Sequence, residues 1–132
     1  MFRLEMIDVF DDVLINFVQD RIDEEFNARS EFKFAGYEDE KLVGVIVYEL
    51  MKVDSGQELP RFIHVVLSEE FRRSKQAVKL LRATEKELKK MGYSQLVAYI
   101  LDQRKHMQVL AEKFGYKKYG DFYMGSYYYK NI

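Results

Sequence analysis

The fold of this chain is decided by one stretch, Phe62–Tyr93, which reads FIHVVLSEEFRRSKQAVKLLRATEKELKKMGY. The stretch begins with an apolar run, which predicts a strand. An acidic turn and then a basic turn follow, and a long amphipathic helix comes next and ends at Gly92. A strand that leads through a cationic turn into a helix brings the first free amides of the helix, and the positive end of its dipole, to the turn. This order is typical of a phosphate-binding site.

Upstream of this stretch, the spacing of apolar residues predicts a strand, a helix and a hairpin. Phe2–Ile7 alternates weakly, as a strand does, and apolar residues then recur every three or four positions up to about Ser30, with Asp8 as the N-cap and a break near Gln19 to Ile22. The hairpin pairs a strand at Phe32 and Phe34 with Leu42–Met51, and its turn lies at 38–41. Gly44 inside the second strand indicates a bulge or a close backbone approach. A polar loop, 52–60, leads to Phe62.

Downstream, the chain continues with a strand, a shorter helix and a second hairpin. Leu96–Leu101 is apolar throughout and predicts a strand buried on both faces, parallel to the strand at Phe62 because a helix connects the two. The next helix ends at Gly115, and the chain closes with a strand at 116–119, a turn at Gly120 and Asp121, and a tyrosine-rich strand at 122–130. In the long helix, the stripe Ala77, Leu81, Thr84, Leu88 and Met91 predicts the packed face.

Length and composition fit one domain, residues 1–132, with one core. The chain is 48% hydrophobic with ten Phe and ten Tyr, which excludes a disordered chain. No apolar run approaches the roughly 20 residues that span a bilayer, and no export signal precedes the domain, so we expect a cytoplasmic protein with no membrane partner. The absence of cysteine excludes disulfides and thiolate nucleophiles, and we expect no metal site.

The net charge of -1 conceals an acidic front and a basic middle. Residues 1–40 carry twelve acidic against four basic side chains, whereas 72–90 carries eight basic against two acidic ones. A basic segment beside the turn suits a ligand with several phosphates, and on charge alone it also suits a nucleic acid or a solvated helix face. Nucleic-acid binding is the weakest of these readings because no aromatic residues interleave with the basic cluster.

The turn resembles motif A of the GCN5-related N-acetyltransferases (GNAT), which reads R/Q-x-x-G-x-G/A. Arg72 occupies its first position, Lys75 the first glycine and Ala77 the last. The order β, α, β, β, β, α, β, α, β, β is that of the GNAT fold, and HMQVLAEKFGYKK (106–118) resembles the family's closing "E-K-x-G-F/Y-K". The resemblance implies an α/β acyl-CoA N-acyltransferase fold with a mixed sheet of six to seven strands and flanking helices.

The resemblance also implies acetyl-coenzyme A (acetyl-CoA) as acyl donor. In this family two central parallel strands part, and the pantetheine arm lies between them. Carried over, the backbone of Val65, Val66 and Leu67 would hold the pantetheine. Amides of the turn would hold the pyrophosphate, and Arg104, where many members have asparagine, could meet the phosphates. The turn residues are Arg72, Arg73, Ser74, Lys75, Gln76 and Ala77.

The candidate catalytic residue is His64, on the strand where many members carry a glutamate that acts as base. Imidazole has an ordinary pKa near neutrality, which suits removal of a proton from an amine; the alternative is a packed core histidine. His106 opens the last helix and reads as a cap or surface residue. Ala111 stands where the family often has a tyrosine that protonates the thiolate, and no spacing selects a substitute among the C-terminal tyrosines, of which Tyr127 and Tyr129 face one side and Tyr128 the other.

Two functions follow from the resemblance. The first is transfer of an acetyl group to an amine by direct attack, with His64 or a water as base. The second, favoured by Lys75, Arg104 and Ala111, is a catalytically inactive GNAT-like scaffold with a binding or structural role, as in phage-encoded members. The acceptor would be a small-molecule or peptide amine. The carboxylates of the first helix would favour a cationic one, such as a polyamine, lysine or a basic peptide, or are simply solvated. A final exposed strand could pair with a second copy to give a homodimer.

Overall fold

The computed structural model describes residues 1–7, 12–22 and 32–132. Within these ranges the chain forms one seven-stranded mixed sheet with three α-helices and a 3-10 turn at Glu69–Phe71. The predicted element order and fold class are confirmed. The strands are β1 Phe2–Ile7, β2 Phe32–Glu38, β3 Lys41–Lys52, β4 Glu58–Leu67, β5 Gln95–Leu101, β6 Lys117–Phe122 and β7 Gly125–Asn131, and the helices are α1 Asp12–Gln19, α2 Lys75–Lys90 and α3 Lys105–Lys113.

The strands follow the order β1-β2-β3-β4-β5-β7-β6 across the sheet. Neighbours are antiparallel except β4 and β5, which are parallel and joined through α2, as the spacing predicted. The last strand, β7, lies between β5 and β6 and is paired on both sides. The expectation that the final strand is a free edge is therefore wrong, because the closing hairpin inserts β7 beside β5 and leaves β6 at the edge.

Alternation along the strands divides the core into two layers. One layer lies under α2 and α3 and contains Phe34, Ile46, Phe62, Leu80 and Leu96 among its buried residues. The other lies under α1 and contains Leu14, Val18, Val45, Val47 and Val66. On its side of the sheet, α1 covers only the part formed by β2, β3 and β4. In the described ranges, the part formed by β5, β7 and β6 has no helix above it on that side.

Two bulges shape the middle of the sheet. In β3 the register with β2 shifts beside Gly44, and a Cβ at Gly44 would lie 2.4 Å from the carbonyl oxygen of Val66, so the predicted close approach is confirmed. In β4 the extra residue is Ile63, since Phe62 pairs with Tyr48 and His64 with Val47. The second bulge directly follows Arg61 and Phe62, the two residues of β4 that pair with β5.

Several boundaries differ from the sequence-based expectations. β4 begins at Glu58, so part of the expected loop, including Pro60, is strand. The expected turn at Gly120 and Asp121 is wrong: a bulge at Tyr119 keeps both residues in β6, and the chain turns at 123–124. Met91 is exposed instead of packed, since the helix has ended there. α1 ends at Gln19, at the predicted break, while the Asp8 cap and the continuation to Ser30 lie outside the described residues.

Gly92 has a φ of 103°, as expected for a glycine that ends a helix. No described helix combines the length and the apolar character that crossing a bilayer would require.

Candidate active site: a cleft where two parallel strands part

The two parallel strands of the sheet are paired over a short distance only. Arg61 pairs with Val97 and Phe62 with Ala98, and beyond these residues β4 and β5 have no further pairing. The bulge at Ile63 explains the separation, since an extra residue bends its strand and interrupts the ladder. Beyond Phe62, β4 is therefore no longer paired with β5.

A cleft of about 420 Å³ occupies the space between the parted strands. Its walls include Leu81 from α2 and Met107 and Ala111 from α3 on one face of the sheet. Ile22, which follows α1, and Tyr99 line it from the other face. The cleft thus runs through the sheet and has an end on each side, so two molecules could meet within it.

The basic turn that follows β4 presents free main-chain donors. Ser74 caps α2: its Oγ accepts a hydrogen bond from the amide of Ala77 at 3.2 Å. The amides of Arg73, Lys75 and Gln76 have no hydrogen-bond partner in the described part of the chain. Lys75 and Leu81 are six residues apart, so the turn lies about 9 Å along the helix axis from the cleft wall. Free amides at a helix N-terminus favour an anion.

The backbone is strained in this turn. Arg73 has a φ of 61°, a left-handed conformation that costs about 1–2 kcal/mol for a residue with a side chain. Lys75, by contrast, is the first residue of α2 and has an exposed side chain. The glycine that the resemblance puts at that position is therefore not required by φ there, and Lys75 leaves the helical start of the turn intact.

The two histidines occupy different environments. His64 is 8% exposed, lines the cleft and lies opposite Val47 on the α1 face of the sheet. His106 is exposed on α3, whose N-cap is Arg104, so the surface interpretation of His106 fits. The structure brings His64 to the cleft together with Val65, Val66 and Arg104, but Leu67 and the turn are not part of the cleft wall.

No tyrosine replaces Ala111 in α3, but Tyr116 reaches the cleft from the start of the closing hairpin. Its hydroxyl donates a hydrogen bond to Glu85 at 2.8 Å, and Glu85 is also 3.0 Å from the Nζ of Lys130. Burial, followed by the charge of Glu85, raises the pKa of the Tyr116 hydroxyl far above its ordinary value. A phenol held in this way is a poor proton donor, so Tyr116 is a structural neighbour of the site.

The acidic side chains of the first helix lie away from the cleft where they can be placed. Asp12 and Asp20 are exposed, and neither lines the cleft. Asp11, Asp23, Glu24 and Glu25 lie outside the described residues. Instead, Arg21 connects this region to the 3-10 turn that precedes the basic turn, through an ion pair with Glu69 at 3.3 Å.

Among the cleft residues that sequence reasoning missed are Ile22, Arg61 and Tyr99. Alternation along the strand at 96–101 places the side chains of Tyr99 and Ala98 on opposite faces of the sheet, so the face on which Tyr99 lies was predictable. That this face opens into the cleft depends on the bulge and the separation of the strands, neither of which leaves a signal in the sequence.

A mixed sheet whose central parallel strands part beside a helix-capped basic turn defines the acyl-CoA N-acyltransferase fold. The chain belongs to the GNAT acetyltransferases: the family model described as an acetyltransferase (GNAT) domain matches residues 3–124. Among curated protein sequences none matches.

Solved structures agree on the fold. PH1933 from Pyrococcus horikoshii aligns over 100% of this chain and 99% of its own, with 18% identity and a TM-score of 0.76. A Bacillus subtilis acetyltransferase solved in complex with CoA aligns over 100% and 99%, with 15% identity and a TM-score of 0.75. The PaiA N-acetyltransferase of Thermoplasma acidophilum, also solved with coenzyme A, aligns over 79% of this chain and 62% of its own, with 19% identity and a TM-score of 0.66.

Proposed function

We propose that this protein transfers the acetyl group of acetyl-CoA to the nitrogen of an amine by direct attack on the thioester. The observation that carries the proposal is the separation of β4 and β5 beyond Phe62 and Ala98, with a cleft of about 420 Å³ between them. An extended polar arm can add to unpaired strand edges by main-chain hydrogen bonds. The membership in the GNAT acetyltransferases supports the same reaction.

Two groups of residues, the edge of β4 and the basic turn, divide the binding of the donor. The main chain of Val65 and Val66 would hold the pantetheine arm, and Leu67 would continue that edge toward the turn. The free amides of Arg73, Lys75 and Gln76 would hold the pyrophosphate, since helix N-termini favour anions. Arg72 and Arg104 would add positive charge.

The reaction forms a C–N bond and breaks the C–S bond. The neutral amine attacks the thioester carbonyl carbon, and the tetrahedral intermediate expels the CoA thiolate. The proton lost by the nitrogen passes to the imidazole of His64 or to a water, and the thiolate takes up a proton from water. The products are an N-acetyl amine and free CoA. His64 fits the base because it lines the cleft in which the amine would attack.

Binding is tested by calorimetric titration with acetyl-CoA. Ala111→Trp would fill the cleft from α3 and should abolish the heat of binding, whereas Val109→Trp, on the same helix but 56% exposed and outside the cleft, should bind as the parent does. Circular dichroism confirms that both variants fold. Equal binding by the parent and Ala111→Trp, or no heat with the parent at millimolar cofactor, would exclude the cleft as the donor site.

Catalysis is tested by thiol release from acetyl-CoA with a panel of amines. If His64 is the base, His64→Gln should lower kcat about 10²–10⁴-fold. His106→Gln is the matched control, because His106 is the other histidine and lies exposed on α3. A His64→Gln enzyme with parental kcat would assign the base to water.

The second candidate is a catalytically inactive scaffold that still binds CoA. It is favoured by Ala111 in the cleft wall and by the commitment of the Tyr116 hydroxyl to Glu85, which leave the departing thiolate without an evident protein acid among the described residues. Binding of acetyl-CoA without thiol release above background, for every amine of the panel, would establish it. Turnover with any amine would end it.

A further inference from the structure

The face of the sheet that α1 leaves uncovered carries a continuous group of aromatic rings. Tyr99 packs against Tyr127 with ring centroids 5.0 Å apart, and Tyr127 packs against Tyr119 at 5.7 Å and Phe122 at 6.0 Å. Tyr119 also contacts Tyr129 at 5.8 Å. We name these five residues the tyrosine surface. Tyr119 is 53% and Phe122 is 62% exposed, so ring area faces solvent.

The tyrosine surface is continuous with the end of the cleft on the α1 face. Tyr99 belongs to both, since it lines the cleft and packs on Tyr127. Arg61 also lines the cleft, and its Nη1 lies 3.5 Å from the hydroxyl of Tyr127. A molecule that leaves the cleft at this end therefore passes directly onto aromatic rings.

The charged side chains beside this surface are paired, and so is the hydroxyl of Tyr99. Arg61 forms an ion pair with Glu49, and Lys118 with Asp121 at 2.8 Å. The Tyr99 hydroxyl donates to the carbonyl of Phe122 at 2.7 Å. Within the described residues the surface offers ring faces and no unpaired carboxylate that could hold a second ammonium group. Ring faces favour stacking with another aromatic group.

We infer that the acceptor is an amine carried on an aromatic body, whose ring stacks on the tyrosine surface while its nitrogen enters the cleft. This inference rests on the proposed function, because it names the acceptor class for the same site. It also departs from the cationic acceptor that the acidic first helix suggested. Polyamines have no ring that could stack on this surface.

The kinetic test compares tryptamine, n-hexylamine and spermidine as acceptors, by thiol release from acetyl-CoA. Tryptamine should exceed n-hexylamine in kcat/KM by about 3- to 10-fold, the effect of one good aromatic contact. Tyr127→Leu should abolish that ratio, and Tyr127→Phe should keep it because the ring remains. Tyr123→Leu is the matched control, since Tyr123 is 89% exposed at the hairpin tip and outside the tyrosine surface.

A binding test separates the acceptor inference from the transferase proposal. The chain contains no tryptophan, so indole emission reports tryptamine alone when it is excited beyond the tyrosine absorption. A change in emission that is lost in Tyr127→Leu supports the aromatic site, whether or not the protein binds acetyl-CoA. If acetyl-CoA is neither bound nor consumed, the transferase proposal is overturned and the aromatic site is not.

Three results would overturn the acceptor inference. One is turnover that favours spermidine or n-hexylamine. Another is a Tyr127→Leu enzyme with the parental tryptamine ratio and emission change. The third is sedimentation that reveals a dimer dissociated by Tyr127→Leu, which would assign the tyrosine surface to a second copy of the chain.

Discussion

Replacing Gly44 with alanine should destabilise the protein at the point where β4 leads into the cleft. The added Cβ would lie 2.4 Å from the carbonyl oxygen of Val66 and 2.9 Å from the side chain of Leu67. The first contact is roughly 1 Å shorter than ordinary van der Waals contact, and its partner is backbone, which cannot move aside as a flexible side chain would. β3 and β4 must therefore move apart where Gly44 faces Val66.

The magnitude follows from the severity of this contact. Overpacking costs about 1–3 kcal/mol, and contact with backbone places Gly44→Ala near the upper value of about 3 kcal/mol. At about 2.1 cal/mol/K per residue, a chain of 132 residues has an unfolding entropy near 0.28 kcal/mol/K, so Tm should fall by about 10 °C. Because Val66 moves with β4, acetyl-CoA affinity should fall as well.

Thermal unfolding followed by circular dichroism measures the effect, with calorimetric titration of acetyl-CoA beside it. The matched control is Gly120→Ala, because nothing lies within 4 Å of a Cβ at that strand position. The control should change stability by less than about 0.5 kcal/mol. A Gly44→Ala protein that melts together with the control would refute the close contact between β3 and β4 at Gly44.

Three further predictions concern the basic turn and the buried tyrosines. Arg73→Gly and Tyr123→Gly each replace a residue with left-handed φ, 61° and 60°, and both should leave stability unchanged or raised by up to about 1 kcal/mol. Arg73→Gly keeps the main-chain amide but removes a positive charge beside the phosphate site, so it alone should weaken acetyl-CoA binding in titrations, and equal binding by the two variants would show that this charge does not contribute. Lys75→Ala should weaken acetyl-CoA by up to about 5-fold, as loss of an exposed charge does; tighter binding would mean that Lys75 crowds the turn instead. Burial raises the pKa of Tyr48 to about 12 and that of Tyr116 still further, with the charges of Tyr93 and Glu85 as the next causes. Above the ordinary phenol pKa of about 10, the folded chain holds protons that the unfolded chain releases, so stability is intact below that pH and falls above it by about 1.4 kcal/mol per pH unit for each tyrosine. Urea denaturation across this range measures the slope, which should be shallower in Tyr116→Phe; an unchanged slope would show that Tyr116 titrates normally.

Much of the fold was predictable because it depends on patterns that act locally. The 3.6-residue spacing of Leu81, Thr84 and Leu88 and the glycine at position 92 specify α2 wherever its partners lie. The alternation that places Tyr127 and Tyr129 opposite Tyr128 follows from strand geometry alone, and the buried Tyr128 agrees with it. The hairpin turn at 123–124 was missed because the bulge at Tyr119 absorbs Gly120, and a bulge is set by cross-strand pairing.

The candidate site divides in the same way. Ser74 as cap and the free amides beside it belong to a helix start, which short-range sequence specifies. The residues Arg61, Tyr99 and Ile22 are far apart in sequence and come together only because the bulge at Ile63 ends the pairing of β4 with β5.

The sequence by itself determined the element order, the parallel crossover and the cationic turn, because each depends on residues within one or two turns or strands of one another. Only the tertiary structure decided that β4 and β5 part after two pairs, that β7 is an inner strand, and that the cleft continues onto a surface of tyrosines. These features depend on pairing between strands that are far apart in the sequence. The free energy that favours one pairing over another comes from long-range contacts, which a local sequence pattern does not specify.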